Sequence, residues 1–330
     1  MSLVKLTTMT AFGHNTTSDE AAEHYKGEIE GKTVVVTGAT CGGIGAETVK
    51  SIAKNGASLV VFTVRNERAL NDTTAKLNKE APGARIKGVL LDLASFDSIH
   101  KAAAEIKSIA SAQIDVLINN AGVMACPYNT TKDGFELQFG TNHLGHFLLT
   151  SLLKEKLFNS PTPRVVNLSS TATWAAPVLF DDINFTNEKE TYVPWVAYGQ
   201  SKTANILFTN ELHDKFNKSN KLSAYSLHPG AIFTNLQRHI DPSPESLGLE
   251  KDYWGNPLFC PEVLKYLHPK PVPQGAATTI VAAFNTHIPS GSYLSDCQEE
   301  NTFPKSYAKD KTNAKRLWDI SQQFTKTEFA

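Results

Sequence analysis

The chain has 330 residues, 41% of them hydrophobic and 20% charged, which supplies a sizeable core and excludes a largely disordered protein. With 32 basic and 33 acidic residues the net charge is −1, which leaves no electrostatic footprint for nucleic acid or an anionic membrane surface. The expected partner is small or neutral.

Cys41, Cys126, Cys260 and Cys297 lie far apart, with no Cys-x-x-Cys pair and no Cys/His cluster at ligand spacing, so they read as reduced thiols and no metal is expected. Met1 to Gly13 lacks the apolar run of a signal peptide, and no stretch approaches the roughly 20 apolar residues of a membrane span. A soluble, cytoplasmic protein is the expectation, which makes the sequons at Asn15 and Asn129 chance matches. Residues 1–30 read as an N-terminal extension, and residues 31–330 as one domain.

From residue 31 onward short apolar runs alternate with stretches of helical length. Val34-Val35-Val36, Leu59 to Phe62, Val89-Leu90-Leu91, Val116-Leu117-Ile118 and Val165 to Leu168 are continuous in apolarity, as strands covered on both faces of a parallel sheet are. Residues 45–55, 69–79 and 95–110 supply the crossovers. The predicted fold is α/β, a single doubly wound Rossmann fold with a mainly parallel sheet of about seven strands.

The first strand runs into Thr37-Gly38-Ala39-Thr40-Cys41-Gly42-Gly43-Ile44-Gly45 and then a helix. Glycines there permit a tight turn and let backbone N–H groups approach a pyrophosphate, whose charge a helix N-terminus favours. Strand two ends in Phe62-Thr63-Val64-Arg65-Asn66. Dinucleotide sites of this kind read the ribose about 20 residues past the glycines, where a carboxylate favours NAD and an arginine accommodates the 2′-phosphate of NADP. Arg65 stands there, so NADP(H) is the expected cofactor.

Four tyrosines precede a lysine by four residues: Tyr128, Tyr198, Tyr266 and Tyr307, with Lys132, Lys202, Lys270 and Lys311. On a helix that spacing places both side chains on one face, where an ammonium lowers a phenol's pKa from about 10 toward neutrality. Pro269 interrupts the third pair, Asn129-Thr130-Thr131 favours a turn in the first, and the fourth lies in a lysine-rich stretch that reads as solvated. Tyr198 with Lys202 opens a proline-free helical run to Leu212, after a fifth strand that ends in Ser169-Ser170. Ligands of doubly wound sheets lie beyond the C-terminal strand ends, so serine and tyrosine should share one crevice, with Ser170 better spaced than Ser169. His143 and His146 have no carboxylate partner and read as packing residues.

Gln237 to Pro273 breaks the rhythm with Asp241-Pro242-Ser243-Pro244, Trp254, Phe259 and Tyr266, and reads as a substrate lid. Trp174, Val178, Leu179, Phe180, Trp195 and the lid aromatics suggest an apolar pocket. Regular pattern returns at Gln274-Gly275-Ala276-Ala277 and ends in a short strand near Ser292-Tyr293-Leu294.

The Thr37 to Gly45 turn, Asn119-Asn120-Ala121-Gly122, Ser169-Ser170 and Tyr198 with Lys202, in this order, resemble the short-chain dehydrogenase/reductase family. Phe12-Gly13, Thr141 to Phe147, Ala204 to Leu207, His228-Pro229-Gly230 and Gly291-Ser292-Tyr293 resemble landmarks of its retinol-dehydrogenase-like carbonyl reductases. The resemblance implies Asn142, Ser170, Tyr198 and Lys202 as the catalytic set. It implies cofactor contacts from Gly38, Thr40, Cys41, Gly43, Ile44, Arg65, Asp92, Leu93, Asn119, Ala121, Tyr198, Lys202, Pro229, Gly230 and Thr234. The glycine turn departs from the family by one extra residue, and the membrane anchor of many retinoid-metabolising relatives is not seen. A homodimer through the helices near Asn142 and Tyr198 is a further expectation from the resemblance.

The expected reaction is NADPH-dependent reduction of a ketone or aldehyde of apolar character, with Tyr198 as general acid, Ser170 holding the carbonyl oxygen, Lys202 lowering the phenol's pKa and Asn142 positioning a water. The alternatives are an epimerase or dehydratase on the same cofactor fold, and a non-catalytic NADP(H)-binding sensor or scaffold.

Overall fold

A computed structural model describes residues 12–187, 192–241 and 243–329. Residues 1–11 of the expected extension and Pro242 of the expected lid lie outside the described residues.

The strands are β1 (Thr33–Val36), β2 (Leu59–Val64), β3 (Ile86–Leu90), β4 (Val116–Asn119), β5 (Arg164–Leu168), β6 (Ser223–His228), β7 (Tyr293–Ser295) and β8 (Gln298–Glu299). They form one sheet in the order β3-β2-β1-β4-β5-β6-β7-β8, parallel except for β8. The sheet thus has eight strands where about seven were expected. The extra strand is the return arm of a hairpin whose two-residue turn, Asp296-Cys297, has φ of 47° and 64°, as a type I′ turn requires. Strand β6 is less legible than the others, because Ser226 and His228 interrupt its apolarity.

The main helices are α1 (Ser18–His24), α2 (Ile44–Lys54), α3 (Glu67–Glu80), α4 (Phe96–Ile109), α5 (Gly145–Phe158), α6 (Pro194–Asn220), α7 (Val272–Phe284) and α8 (Lys311–Thr325). Successive strand side chains point to opposite faces, and both faces are covered. Val34, Val36, Val60 and Phe62 join one apolar cluster with residues of α1, α2, α3 and α7. Val35, Leu59 and Val61 join the other with residues of α4, α5, α6 and α8. Residues 18–29 belong to the first cluster: Ala21, Ala22 and Ile29 are fully buried, and α1 is fixed by a capping box between Thr17 and Glu20.

Phe62 lies at full burial in β2, whereas Phe233 is 68% exposed. Phe62→Ala is expected to cost about 3–5 kcal/mol in urea denaturation, and Phe233→Ala less than about 0.5 kcal/mol.

Candidate active site

Beyond the C-terminal end of β1 the chain turns at Gly38, whose φ is +71° and where a Cβ would lie 2.6 Å from the Cα of Ala121. Only glycine allows that approach. The hydroxyl of Thr37 accepts from the N–H groups of Asn120 at 2.9 Å and Ala121 at 3.0 Å, which locks the two loops together. The additional residue of the glycine turn is absorbed locally. Gly43 N–H donates to Thr40 O at 3.0 Å across a turn whose third residue, Gly42, has φ +80°, the arrangement of a type II turn with an exposed tip. Gly43 then caps α2 without a side-chain hydrogen bond, leaving first-turn N–H groups for an anion. A Cβ on Gly45 would stand 2.6 Å from Gly38 O, so α2 begins hard against the turn.

Arg65 is exposed just past β2 and makes no hydrogen bond or ion pair among the described residues. Past β3, Asp92 accepts from Ala94 N–H at 3.1 Å, and Leu93 is buried. Asn119 is buried at the end of β4 and donates to Asn167 Oδ1 at 2.8 Å and to Thr150 at 3.2 Å, so its side chain ties strands β4 and β5 together. Pro229 and Gly230 follow β6, half-buried, and Thr234 caps a short turn by accepting from Leu236 N–H at 3.3 Å. Thr40, Cys41, Ile44 and Ala121 line the same end of the sheet through the glycine turn and the loop after β4. A Cβ-free backbone cradle, an uncapped helix start and an unpaired guanidinium fit a dinucleotide.

Helix α6 carries the tyrosine and lysine on one buried face, with Tyr198 3% and Lys202 4% exposed. A Cβ on Gly199 would fall 2.5 Å from Ala172 O, so α6 lies directly on the turn that begins at Ser170. Ser170 Oγ accepts from Ala172 N–H at 3.1 Å, and its hydroxyl lies close enough to Tyr198 to pull the phenol's pKa down. Ser169 points elsewhere, donating to Lys202 O at 2.9 Å from a buried position. Lys202 Nζ donates to Leu168 O at 3.0 Å and sits 5.6 Å from the centre of the Tyr198 ring.

The expected depression of the Tyr198 pKa is not found. Burial raises the phenol well above its ordinary value, against a smaller downward pull from Ser170, while burial pushes Lys202 down to about 8. The ammonium faces a backbone carbonyl rather than the phenol oxygen, and its own desolvation is the larger effect.

Asn142 lies in a π-helical turn, residues 140–144, of the kind that interrupts α-helices at functional sites. Its Oδ1 accepts from Val123 N–H at 2.8 Å, and its Nδ2 donates to Val123 O and Ser201 Oγ, both at 2.9 Å. Gly122 brings this loop against Lys202: a Cβ there would lie 3.1 Å from Asn142 Oδ1 and 3.6 Å from Lys202 Nζ. His146 is buried, with Nδ1 2.9 Å from Asn142 O and Nε2 2.9 Å from Thr37 Oγ1. A carbonyl only accepts, so Nδ1 carries the proton and Nε2 accepts from Thr37. Burial lowers His146 to about 4 and His143 to about 3, which keeps both rings neutral. The spacing of His146 from Asn142 was visible in the sequence; its bond to Thr37 was not.

Residues of the expected lid pack against Tyr198. Leu258 is 3% exposed in a cluster with Met124, Ala172, Trp195 and Tyr198, Phe259 meets Trp195 edge-on at 5.3 Å, and Tyr253 N–H donates to Ala175 O at 2.7 Å. A cavity of about 500 Å³ is lined by Trp174, Trp254, Pro257, Leu258 and Tyr307 together with Asp252, Glu262 and Lys305, and neither Ser170 nor Tyr198 is among its lining residues. Of the expected pocket residues, Val178 and Phe180 instead pack with Phe139, Leu144 and Leu207, and Leu179 packs with Phe185 and Tyr192. Tyr307 is not a solvated residue: its hydroxyl donates to Thr173 O at 2.6 Å.

The family description "short chain dehydrogenase" matches residues 32–180. Over 305 residues the chain is 41% identical to the short-chain dehydrogenase/reductase prx1 of Penicillium roqueforti, covering 88% of this chain and 84% of that protein. The chain belongs to the short-chain dehydrogenase/reductase family. It is also 38% identical to human retinol dehydrogenase 14, over 90% of this chain and 87% of that protein. An uncharacterized protein from Mycobacterium paratuberculosis superposes with a TM-score of 0.69 at 34% identity, covering 92% of this chain and 96% of that one. As a family member the chain is an oxidoreductase of the nicotinamide-cofactor class. Among the described residues no helix is long and apolar enough to cross a membrane, and no group of His, Cys, Asp and Glu could hold a metal ion.

Because folded Lys202 loses its proton near pH 8 and the unfolded residue near 10.5, the unfolded chain binds more protons in that window and stability rises with pH across it. In the cofactor-free protein the stability difference between wild type and Lys202→Met should move toward wild type by about 2 kcal/mol between about pH 7.5 and 10, read from urea denaturation. No movement would mean that Lys202 is not desolvated.

Proposed function

We propose that the chain is an NADP(H)-dependent carbonyl reductase that converts an apolar ketone or aldehyde to its alcohol. The observation that carries this reading is Tyr198, buried on α6 beside Ser170, which follows β5, with Lys202 on the same helix face.

When bound, the reduced nicotinamide supplies the hydride that the carbonyl carbon accepts. Gly38, Gly43 and Ile44 would offer backbone N–H groups to the pyrophosphate, and Arg65 would pair with the 2′-phosphate. Ser170 holds the substrate oxygen and donates to it as negative charge develops there. Tyr198 transfers its hydroxyl proton to that oxygen, so that the alkoxide leaves as the alcohol. In the cofactor-free site burial keeps that proton on the phenol. Lys202 uses one N–H on Leu168 O and retains two, for the nicotinamide ribose and for a water that returns a proton to Tyr198. Asn142 spends both Nδ2 hydrogens on Val123 O and Ser201, so it acts on that water through the loop it fixes and through the remaining lone pair of Oδ1.

The apolar cluster that Met124, Trp195 and Leu258 form around Tyr198 supports an apolar substrate. Four unpaired cysteines suit a reducing compartment, and the cytoplasm is the compartment proposed. Reduction is the proposed direction, because that compartment keeps NADPH mostly reduced.

Tyr198→Phe is expected to lower turnover of a carbonyl panel by about 10²–10⁴-fold while NADPH binding, followed by fluorescence, stays intact. Retained turnover would remove Tyr198 from the acid role. Arg65→Ala should raise the KM for NADPH by about tenfold and leave that for NADH unchanged. Equal use of both cofactors by the wild type would overturn the NADP(H) assignment.

A further inference from the structure

The chain holds an ion pair outside the catalytic cluster, between a buried lysine and a partly exposed aspartate. Lys270, at the end of the lid, has a side chain only 1% exposed, and its Nζ donates to Asp296 Oδ1 at 2.5 Å. The carboxylate of Asp296, 40% exposed, lies in the turn between β7 and β8 and also faces His14 Nδ1 at 3.5 Å. The lysine stem runs directly beneath Gly230: a Cβ on that glycine would fall 2.1 Å from Lys270 Cε and 3.2 Å from Nζ. Gly230 has φ +105°, a conformation that leaves the turn no other residue type at low cost.

Three further contacts seat the same segment. Lys270 N–H donates to Ala231 O at 3.0 Å, and Ala231 pairs with Pro269 in a parallel bridge. A Cβ on Gly275 of α7 would lie 2.6 Å from Ile232 Cγ1, so the start of α7 packs tightly under Ile232. The hairpin turn that holds Asp296 is itself fixed to α7, since Cys297 N–H donates to Thr278 Oγ1 at 3.1 Å. Residues 229–232 therefore rest on a floor built from the lid's C-terminal base, with Lys270 in the middle.

Burying the ammonium of Lys270 costs desolvation that a half-exposed carboxylate offsets only in part, so an apolar side chain of the same length often stabilises as well. What a charge pair adds is direction: Asp296 dictates where the ammonium lies, and the stem then dictates how closely Gly230 approaches it. We propose that Lys270, held by Asp296, is a positioning residue for the Pro229–Gly230 turn, setting its height against the cofactor and joining the base of the lid to it. The proposal rests on the reading of residues 229–234 as a cofactor segment.

Lys270→Met keeps the stem under Gly230 and removes the charge. In the full-length protein it should raise the NADPH dissociation constant by about tenfold in a fluorescence titration, while the KM of a carbonyl substrate at saturating NADPH stays within about twofold. Amide exchange of residues 229–234 in the cofactor-free variant should be faster than in wild type. Asp296→Asn should give the same loss, the double variant no more than either single one, and Asp296→Glu should recover affinity. If Lys270→Met does not fold, Asp296→Asn against Asp296→Glu carries the same comparison. Unchanged NADPH affinity with unchanged exchange, or losses that add in the double variant, would overturn the proposal. A wild type that does not bind NADPH would overturn the cofactor reading instead, and the exchange measurement would still decide whether Lys270 positions the turn.

Discussion

The hydroxyl of Thr37 is where the parts of the site meet. It accepts from the N–H groups of Asn120 and Ala121 and donates to His146, whose other nitrogen donates to the carbonyl of Asn142. Asn142 in turn holds both backbone groups of Val123 and the hydroxyl of Ser201 on the helix of Tyr198 and Lys202. One threonine side chain thus links the glycine turn, the loop after β4 and helix α6 through fully paired buried groups. Such networks are costly when broken and specify a single arrangement when complete. The neutral state of His146 is part of the device, since a protonated ring could not accept from Thr37.

A second constraint is close backbone approach. Gly38 against Ala121, Gly45 against Gly38 and Gly199 against Ala172 each leave no room for a Cβ. Each brings a loop or helix to the C-terminal edge of the sheet at a fixed height, where the strands supply the rigid frame that loops lack. The site is built against solvation. Tyr198 and Lys202 are both desolvated, so the cofactor-free protein bears an electrostatic cost at its centre. Anions and hydroxyl groups of a bound dinucleotide are the groups that would relieve it. Lys270 is likewise buried, but with its own carboxylate already present.

Much of this was legible from local chemistry. Continuous valine runs announced strands covered on both faces, because a β-strand exposes alternate side chains to opposite sides and neither side here meets water. The glycine turn, Arg65, and the order of Asn119, Ser170, Tyr198 and Lys202 marked one end of the sheet. Strand β6 was hard to read because Ser223, Ser226 and His228 interrupt its apolarity although the strand is buried, and β8 because two residues carry no period. Val178, Leu179 and Phe180 looked like pocket walls for the opposite reason: apolar composition does not say which apolar surface a loop will meet.

The sequence by itself determined the parallel α/β sheet, the family, and that Tyr198 and Lys202 share one helix, because periodicity, glycine geometry and motif order are properties of neighbouring residues. Only the tertiary structure decided that the Tyr198 phenol is raised rather than lowered, that Ser169 serves Lys202 O while Ser170 lies beside Tyr198, and that Lys270 and Asp296 meet beneath Gly230. Those outcomes depend on burial and on contacts between residues far apart in the chain. Desolvation and direct hydrogen bonding act over a few ångströms of space, whatever the separation in sequence.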